Sequence, residues 1–267
     1  MPGNAHLIHA FRIPFPRNLE IIKINANENS PALKVAIGQS QVTSHGGLEL
    51  ELGINGNQRL KERTLMLSSE IAQAGESFYS HGWLFGTSGN LSAVISHKPM
   101  LLAITGSGLD KGHLSSEQVI VIDEGMKVIG GEYKPSAETA LHIALVSELS
   151  CGAVFHTHSV WSTIISQVHE KDSGIWIEGF EMLKALNGVK SHEHREWIPI
   201  LKNSQDMNAL AGELKVLLKE NPNIHGFMLS GHGLYTWGRD PQEAKRHVEG
   251  LEFLLEVQGR IDSLKVM

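Results

Sequence analysis

Hydrophobic and polar positions form helix-like and strand-like segments from about residue 60 onwards. Between residues 60 and 78, apolar side chains recur at steps of three and four, which places them on one face of a helix. Ser136 is predicted to cap a second helix, and Asp240-Pro241 to begin the last one. The predicted helices after the first one span residues 140–149, 160–168, 181–186, 206–221 and the segment from 241 onwards.

Short apolar segments bounded by glycine, proline or charged turns predict strands between these helices. The last two flank Gly231-His232-Gly233 as a hairpin-like pair, because glycine relaxes the backbone at a turn. The segments span residues 91–96, 101–105, 119–122, 153–158, 175–177, 197–200, 226–229 and 234–237. Helices that alternate with strands over this length predict a mixed α/β fold.

Residues 1–58 have a different character, because proline, asparagine and glycine interrupt the pattern repeatedly. We interpret them as an N-terminal extension whose order the pattern does not define, with a short strand near residues 33–37. Residues 59–267 are predicted to form one catalytic domain.

Composition and charge narrow the class of partner. The net charge is -6 and neither Lys nor Arg forms long runs, so we expect no nucleic acid or membrane partner. No stretch approaches the roughly 20 apolar residues of a transmembrane helix, and the N-terminus lacks the pattern of a secretory signal. The single cysteine, Cys151, excludes an internal disulfide and fits a reducing compartment. We therefore expect a cytoplasmic protein that acts on small solutes.

Three histidines suggest a metal site. His156 and His158 lie two residues apart on a predicted strand, so both side chains point to the same side and can contact one ion. The alternative is a pair of solvent-facing imidazoles at a strand end. His232 lies between two glycines and could equally be a turn residue. Together, three imidazoles would leave coordination positions open, as in catalytic zinc sites that act as Lewis acids.

Two glycine-containing turns, at residues 86–92 and 105–111, could bind a phosphate. Small residues let backbone N–H groups approach an anion closely, and Ser, Thr and Asn side chains add donors. Neither turn matches the nucleotide-binding P-loop or the dinucleotide fingerprint. Ordinary tight turns are the alternative interpretation.

Two glutamates could transfer a proton. Glu138 lies near a predicted helix start, where a carboxylate also interacts favourably with the helix dipole without any catalytic role. Glu181 follows apolar residues and precedes Met182 and Leu183, so we expect it to face a partly dry interior. Desolvation there would raise its pKa towards a value suited to acid/base catalysis.

Taken in order, five motifs resemble the class II aldolase/adducin family. They are Gly-Thr-Ser-Gly-Asn-Leu-Ser at 86–92, Thr-Gly-Ser-Gly at 105–108, Lys-Pro-Ser-Ala-Glu-Thr at 134–139, His-Thr-His at 156–158 and Gly-His-Gly at 231–233. The resemblance extends from about residue 60 to the C-terminus. It implies an α/β/α sandwich around a largely antiparallel sheet, and a homotetramer with active sites near subunit boundaries. It also implies one Zn²⁺ per subunit, bound by His156, His158 and His232.

Within the family, segments 152–159, 181–184 and 231–238 are most similar to dehydratases that act on a small sugar phosphate. In those enzymes the residue matching Glu181 is the catalytic acid/base, whereas the aldolases use the position matching Glu138. The resemblance also implies phosphate binding by residues of the family loops: Thr87, Ser88, Gly89, Asn90, Ser107, Gly108, Lys111 and Ser136.

Two other functions stay open at this point. A sugar-phosphate aldolase or a ribulose-phosphate 4-epimerase would need the same metal. A non-catalytic binding or scaffold module, as in adducin-like relatives, would be expected to have lost one or more of the metal-binding histidines.

Overall fold

The computed structural model describes the backbone of residues 48–265 and the side chains from Gln58 to Lys265. The strand predicted near residues 33–37 lies outside the described residues. Five α-helices are present in the described part: α1 (Leu48–Ser80), α2 (Thr139–Leu149), α3 (Val160–Val168), α4 (Met207–Glu220) and α5 (Pro241–Lys265). Short 3-10 helices lie at Lys111–His113, Ser116–Gln118, Glu170–Asp172 and Glu181–Ala185.

Nine strands form one sheet in the order β4-β3-β2-β1-β5-β9-β8-β7-β6. Every neighbouring pair is antiparallel except β7 and β8, which confirms the predicted largely antiparallel sheet. The strands are β1 (Asn90–His97), β2 (Met100–Thr105), β3 (Val119–Asp123), β4 (Val128–Gly130), β5 (Ala153–Thr157), β6 (Gly174–Glu178), β7 (Arg195–Leu201), β8 (Gly226–Leu229) and β9 (Gly233–Gly238).

Helices cover both faces of the sheet, as the predicted α/β/α sandwich requires. Leu141 of α2 and Leu214 of α4 pack against Val154 on one face. Ile71 of α1 and Phe155 of β5 share a core on the other face, and α3 and α5 extend that layer over β8 and β9. Because side chains alternate along a strand, β5 directs His156 to the same face as Val154.

Two helix starts differ from the prediction. Helix α1 begins at Leu48, so the boundary predicted at residue 58 falls inside a helix that contains Gly53 and Gly56. Glycine disfavours a helix by only about 1 kcal/mol and does not by itself end one.

The Asp240 cap is confirmed, since its side chain accepts a hydrogen bond from the Glu243 N–H at 2.8 Å.

Ser136 does not cap α2, and that prediction was wrong. The helix begins at Thr139, with Glu138 in the N-cap position. Ser136 Oγ instead accepts a hydrogen bond from the Glu138 N–H at 3.3 Å, because residues 136–139 form a turn before the helix. Within the described chain the Glu138 side chain makes no capping bond, so its carboxylate is available for other partners.

None of the helices in residues 48–265 combines the length and the apolar character needed to cross a membrane.

The packing of α4 allows a test of the core. Leu214 is fully buried in the α2/α4 layer, whereas Val216 on the same helix is 56% exposed. Leu214→Ala should lower the free energy of unfolding by about 2–5 kcal/mol, because it leaves a cavity. Val216→Ala should change it by less than about 0.5 kcal/mol. Urea denaturation measures both, and equal losses would contradict this assignment of the core.

Candidate active site

Three imidazoles converge where β5 ends and β9 begins. His156 Nε2 lies 2.8 Å from His158 Nε2 and 3.3 Å from His232 Nε2, and the remaining pair is 3.1 Å apart. The two histidines predicted from the His-x-His spacing and the histidine predicted from the Gly-His-Gly turn therefore lie together, although 74 residues separate His158 from His232.

The protonation of two of these rings favours a cation between them. His156 donates through Nδ1 to the Leu234 carbonyl at 2.9 Å, and His232 donates through Nδ1 to Asn203 Oδ1 at 3.2 Å. With Nδ1 occupied in this way, Nε2 is the ring nitrogen that each residue directs at the cluster. Zn–N bonds of about 2.0–2.1 Å at tetrahedral angles place nitrogens about 3.3 Å apart. The donor set and its spacing fit a divalent ion.

Glu138 completes a four-residue cluster with the histidines. Its Oε1 lies 3.0 Å from His232 Nε2 and 3.7 Å from His156 Nε2. Burial alone raises the pKa of Glu138, but the contacts with His156 and His232 outweigh it and lower the pKa well below its usual range. Glu138 is therefore ionised and can act as a ligand or as a base.

Burial keeps two of the imidazoles neutral. It lowers the pKa of His156, although Glu138 partly opposes the shift. Burial, reinforced by the neighbouring His156 and His232, lowers the pKa of His158 to about 3. A neutral imidazole is the form that binds a metal ion, so these rings are ready to coordinate at neutral pH.

The sheet and two tight backbone approaches fix the cluster. Asn90 of β1 pairs with His156 of β5, which pairs in turn with Tyr235 of β9. The Tyr235 ring stacks on His156 with centroids 3.8 Å apart. A Cβ at Gly233 would lie 2.1 Å from the Thr157 carbonyl oxygen. Only glycine allows β9 to start this close to the His-Thr-His segment.

All eight residues predicted to bind phosphate line one cavity of about 110 Å³ beside the cluster. Glu138 and His158 line the same cavity, which therefore adjoins the four-residue cluster. The 86–92 turn has positive φ at Gly86, Thr87 and Gly89. A Cβ at Gly89 would lie 2.3 Å from Leu84 Cδ2 and 2.6 Å from the His156 carbonyl oxygen, so this turn packs directly against β5.

Two groups suit this cavity to an anion. Lys111 is buried and its Nζ donates to the carbonyl oxygens of Thr87 and Leu109, which ties the two turns together. Burial lowers the pKa of Lys111 to about 8, against the opposing charges of Asp110 and Glu138. Ser88 Oγ is buried without a hydrogen-bond partner among the described residues. A buried hydroxyl without a partner is costly, so a bound oxygen ligand would satisfy it.

Glu181 does not face a dry interior, and that expectation was wrong. Its side chain is 69% exposed, and it pairs with Lys184 and, at 3.2 Å, with His192. The hydrogen bond from Lys184 lowers the pKa of Glu181 instead of raising it. Residues 181–185 form a 3-10 turn that buries Leu183 and directs Glu181 outwards. Within a single chain it is not part of the four-residue cluster.

A larger cavity of about 580 Å³ lies at the opposite end of β5 and β9. Three of its four histidines already have partners: His194 and His225 contact Glu196, and His247 contacts the Trp237 carbonyl and the Asn187 N–H. Volume alone therefore does not identify the candidate site, because the smaller cavity is the one that adjoins the three-histidine cluster, through His158 and Glu138.

Sequence patterns missed the groups that support the cluster from behind. Ser92 and His142 are fully buried and contact each other at 2.7 Å. Glu252 of α5 is also buried, and its Oε1 accepts a hydrogen bond from Thr157 Oγ1 at 2.5 Å. One signal was present, because His142 follows Glu138 by four residues and therefore lies on the same side of its helix.

Comparison with known proteins agrees with the site. Residues 69–259 match the model of the class II aldolase and adducin N-terminal domain. The chain therefore belongs to the class II aldolase/adducin family.

Individual relatives narrow the comparison. The chain is 41% identical to methylthioribulose-1-phosphate dehydratase of Hahella chejuensis over 189 residues, covering 70% of this chain and 90% of that protein. It is 39% identical to the protein of the same name from Marinobacter nauticus over 192 residues, covering 72% and 91%. The crystal structure of Escherichia coli YgbL, described as a candidate aldolase/epimerase/decarboxylase, superposes with a TM-score of 0.62 at 26% identity, covering 73% and 88%.

Glu252 provides a test of the support behind the histidines. Burial raises the pKa of Glu252 from 4.5 to about 7. A raised carboxyl pKa contributes stability that is complete below about pH 4.5 and is lost as the pH rises through about 7. Glu252→Gln removes this ionisation. The free energy of unfolding of the variant, relative to that of wild type, should therefore be higher at pH 8 than at pH 5 by on the order of 1–3 kcal/mol.

Urea unfolding at the two pH values measures the effect. Glu249→Gln, at a half-exposed position on the same helix, should show no such gain. Parallel pH profiles for wild type and Glu252→Gln would contradict the buried ionisation.

Proposed function

We propose that this chain is a metal-dependent hydro-lyase that converts 5-methylthioribulose 1-phosphate to 2,3-diketo-5-methylthiopentyl 1-phosphate and water, a step of methionine salvage. One observation carries the proposal: three imidazole nitrogens and a carboxylate converge at the mouth of a small cavity that is lined with uncharged donors and one buried lysine. The relatives named methylthioribulose-1-phosphate dehydratase support this substrate.

The cavity is the proposed phosphate site. Backbone N–H groups of the 86–92 turn, the Ser88 and Ser107 hydroxyls and Lys111 would bind the phosphate oxygens. The proposed cofactor is one Zn²⁺ per subunit, bound by His156, His158 and His232. It would supply a Lewis acid that acidifies the proton on a carbon next to the substrate carbonyl.

The dehydration then needs a base and an acid from the protein. A carboxylate removes the C3 proton, the C4–O bond breaks, and the leaving hydroxyl takes up a proton to form water. The C3–C4 enol that remains tautomerises to the 2,3-diketone. Glu181 is the proposed acid/base. Glu138, ionised and adjoining the imidazoles, is proposed as a second catalytic carboxylate.

We propose further that the protein is a cytoplasmic homotetramer with active sites near subunit boundaries. Val160, Ile164 and Val168 form an exposed apolar stripe on α3, which starts two residues after His158. Such a stripe is typical of a surface that a partner covers.

The second candidate function is a sugar-phosphate aldolase or a ribulose-phosphate 4-epimerase. One observation favours it: within one chain, the carboxylate in the cluster is Glu138, at the position that the aldolases use, whereas Glu181 lies outside the cluster.

Substrate turnover distinguishes these functions. Purified protein with stoichiometric zinc should dehydrate 5-methylthioribulose 1-phosphate and should not cleave fuculose 1-phosphate. Removal of zinc by a chelator should abolish turnover, and added Zn²⁺ should restore it. His232→Ala should lose bound metal, whereas His113→Ala, at an exposed position, should retain it. Cleavage of fuculose 1-phosphate without dehydration would establish the aldolase instead.

The two glutamates are separated by matched substitutions. Glu181→Gln should lower kcat for dehydration by about 10²–10⁴-fold and leave the zinc content unchanged, because Glu181 is outside the metal cluster. Glu178→Gln, at a similarly exposed position nearby, should behave as wild type. Glu138→Gln should reduce both zinc affinity and kcat. Wild-type turnover by Glu181→Gln would exclude its catalytic role and assign proton transfer to Glu138.

A further inference from the structure

Behind Glu138, a chain of buried polar side chains runs from the sheet into α2. We propose that Asn90 and His142 are positioning residues that hold the Glu138 carboxylate with Oε1 towards the three imidazoles. The role of Glu138 in this inference rests on the proposed function. The contacts that support the inference are observed in the chain and do not depend on that function.

The contacts form a continuous series. Asn90 Nδ2 donates to Glu138 Oε2 at 2.5 Å. Asn90 Oδ1 is hydrogen-bonded to His142 Nε2, and His142 Nδ1 lies 2.7 Å from Ser92 Oγ. One oxygen of Glu138 is therefore engaged by Asn90, while the other, Oε1, is the atom that lies 3.0 Å from His232 Nε2.

The Asn90 amide sets the direction of the bonds in the series. Its NH₂ group donates to Glu138 Oε2, so its carbonyl oxygen faces His142 Nε2 and can only accept a hydrogen bond there. His142 must then carry its proton on Nε2, and Nδ1 accepts the Ser92 hydroxyl proton. A flipped Asn90 amide would place two acceptors against each other beside the metal-binding residues.

Burial makes this arrangement rigid and keeps His142 neutral. Ser92 and His142 are fully buried, and Asn90 is nearly so. Burial lowers the pKa of His142 to about 3. Tyr235 packs edge-on against His142 and stacks on His156, so the same ring holds the series and a metal-binding residue.

Asn90 therefore does more than donate a hydrogen bond to a phosphate. Its carbonyl oxygen and one of its N–H groups are occupied by His142 and Glu138, which leaves one N–H for a ligand in the cavity. Because β1 pairs Asn90 directly with His156, the strand register brings the metal-binding residues and the orienting amide to one row.

Two substitutions of similar size separate positioning from packing. The Gln side-chain nitrogen can occupy the place of imidazole Nε2, whereas the shorter Asn reaches only the place of Nδ1. His142→Gln should keep the bond to Asn90 and retain zinc affinity within about threefold of wild type. His142→Asn should lower it by about 10–100-fold, the usual effect of losing an outer hydrogen bond at a metal site. Chelator competition measures both affinities.

Combining His142→Asn with Glu138→Gln in a double variant tests whether His142 acts through Glu138. The effect of His142→Asn should then shrink to less than about threefold, because the group that it positions is already altered. The d–d absorption spectrum of the Co²⁺-substituted protein should change in the same direction for His142→Asn and Glu138→Gln. Equal losses of affinity for the Asn and Gln variants, or an undiminished loss in the Glu138→Gln background, would overturn the proposal.

A measurement without metal or substrate completes the test. The ¹⁵N chemical shifts of His142 in the wild-type protein should show a neutral ring that is protonated at Nε2. A ring protonated at Nδ1, or at both nitrogens, would overturn the series of bonds. Absence of dehydration by wild type would count against the proposed function, but it would leave the tautomer and the affinity series unaffected.

Discussion

The arrangement of the molecule depends on three imidazole nitrogens that lie within 3.3 Å of one another. Lone pairs 2.8 to 3.3 Å apart repel unless a positive charge lies between them. The fold nevertheless holds them there, with His156 fixed by the Leu234 carbonyl and His232 by Asn203. Glu138 adds a negative charge at the same point. Folding therefore supplies the free energy that holds these groups together, and a cation bound between them would relieve their repulsion.

Opposite charges lie on the two sides of the adjoining cavity. The ionised Glu138 is beside the imidazoles, whereas the Lys111 ammonium lies between two carbonyl oxygens at the base of the glycine turns. A substrate that has an anionic end and a polarisable carbonyl can be oriented by this asymmetry alone. In the turn that lines this cavity, Gly86 and Gly89 adopt positive φ without strain, whereas Thr87, at φ 64°, bears a local conformational cost.

Sequence patterns predicted features that depend on short spacings, and missed those that depend on strand pairing. The alternation of β5 predicted His156 and His158 on one side, and the glycines around His232 predicted a turn. Nothing local indicates that Asn90 lies opposite His156, since register depends on distant strands. Glu181 was misjudged because apolar neighbours do not show which side of a 3-10 turn faces solvent. Ser136 was misjudged because a turn before α2 and an N-cap share the same residue preferences.

The pairing of β5 between β1 and β9 has a consequence for how the protein matures. These strands are neighbours in the sheet, but the residues that contact His156 from β9, Leu234 and Tyr235, are translated much later than His156. On the ribosome, an emerging chain can present His156 and His158 long before His232 exists. A two-histidine fragment holds ions weakly and without selectivity. An ion held by all three histidines would therefore bind only after His232 has been translated.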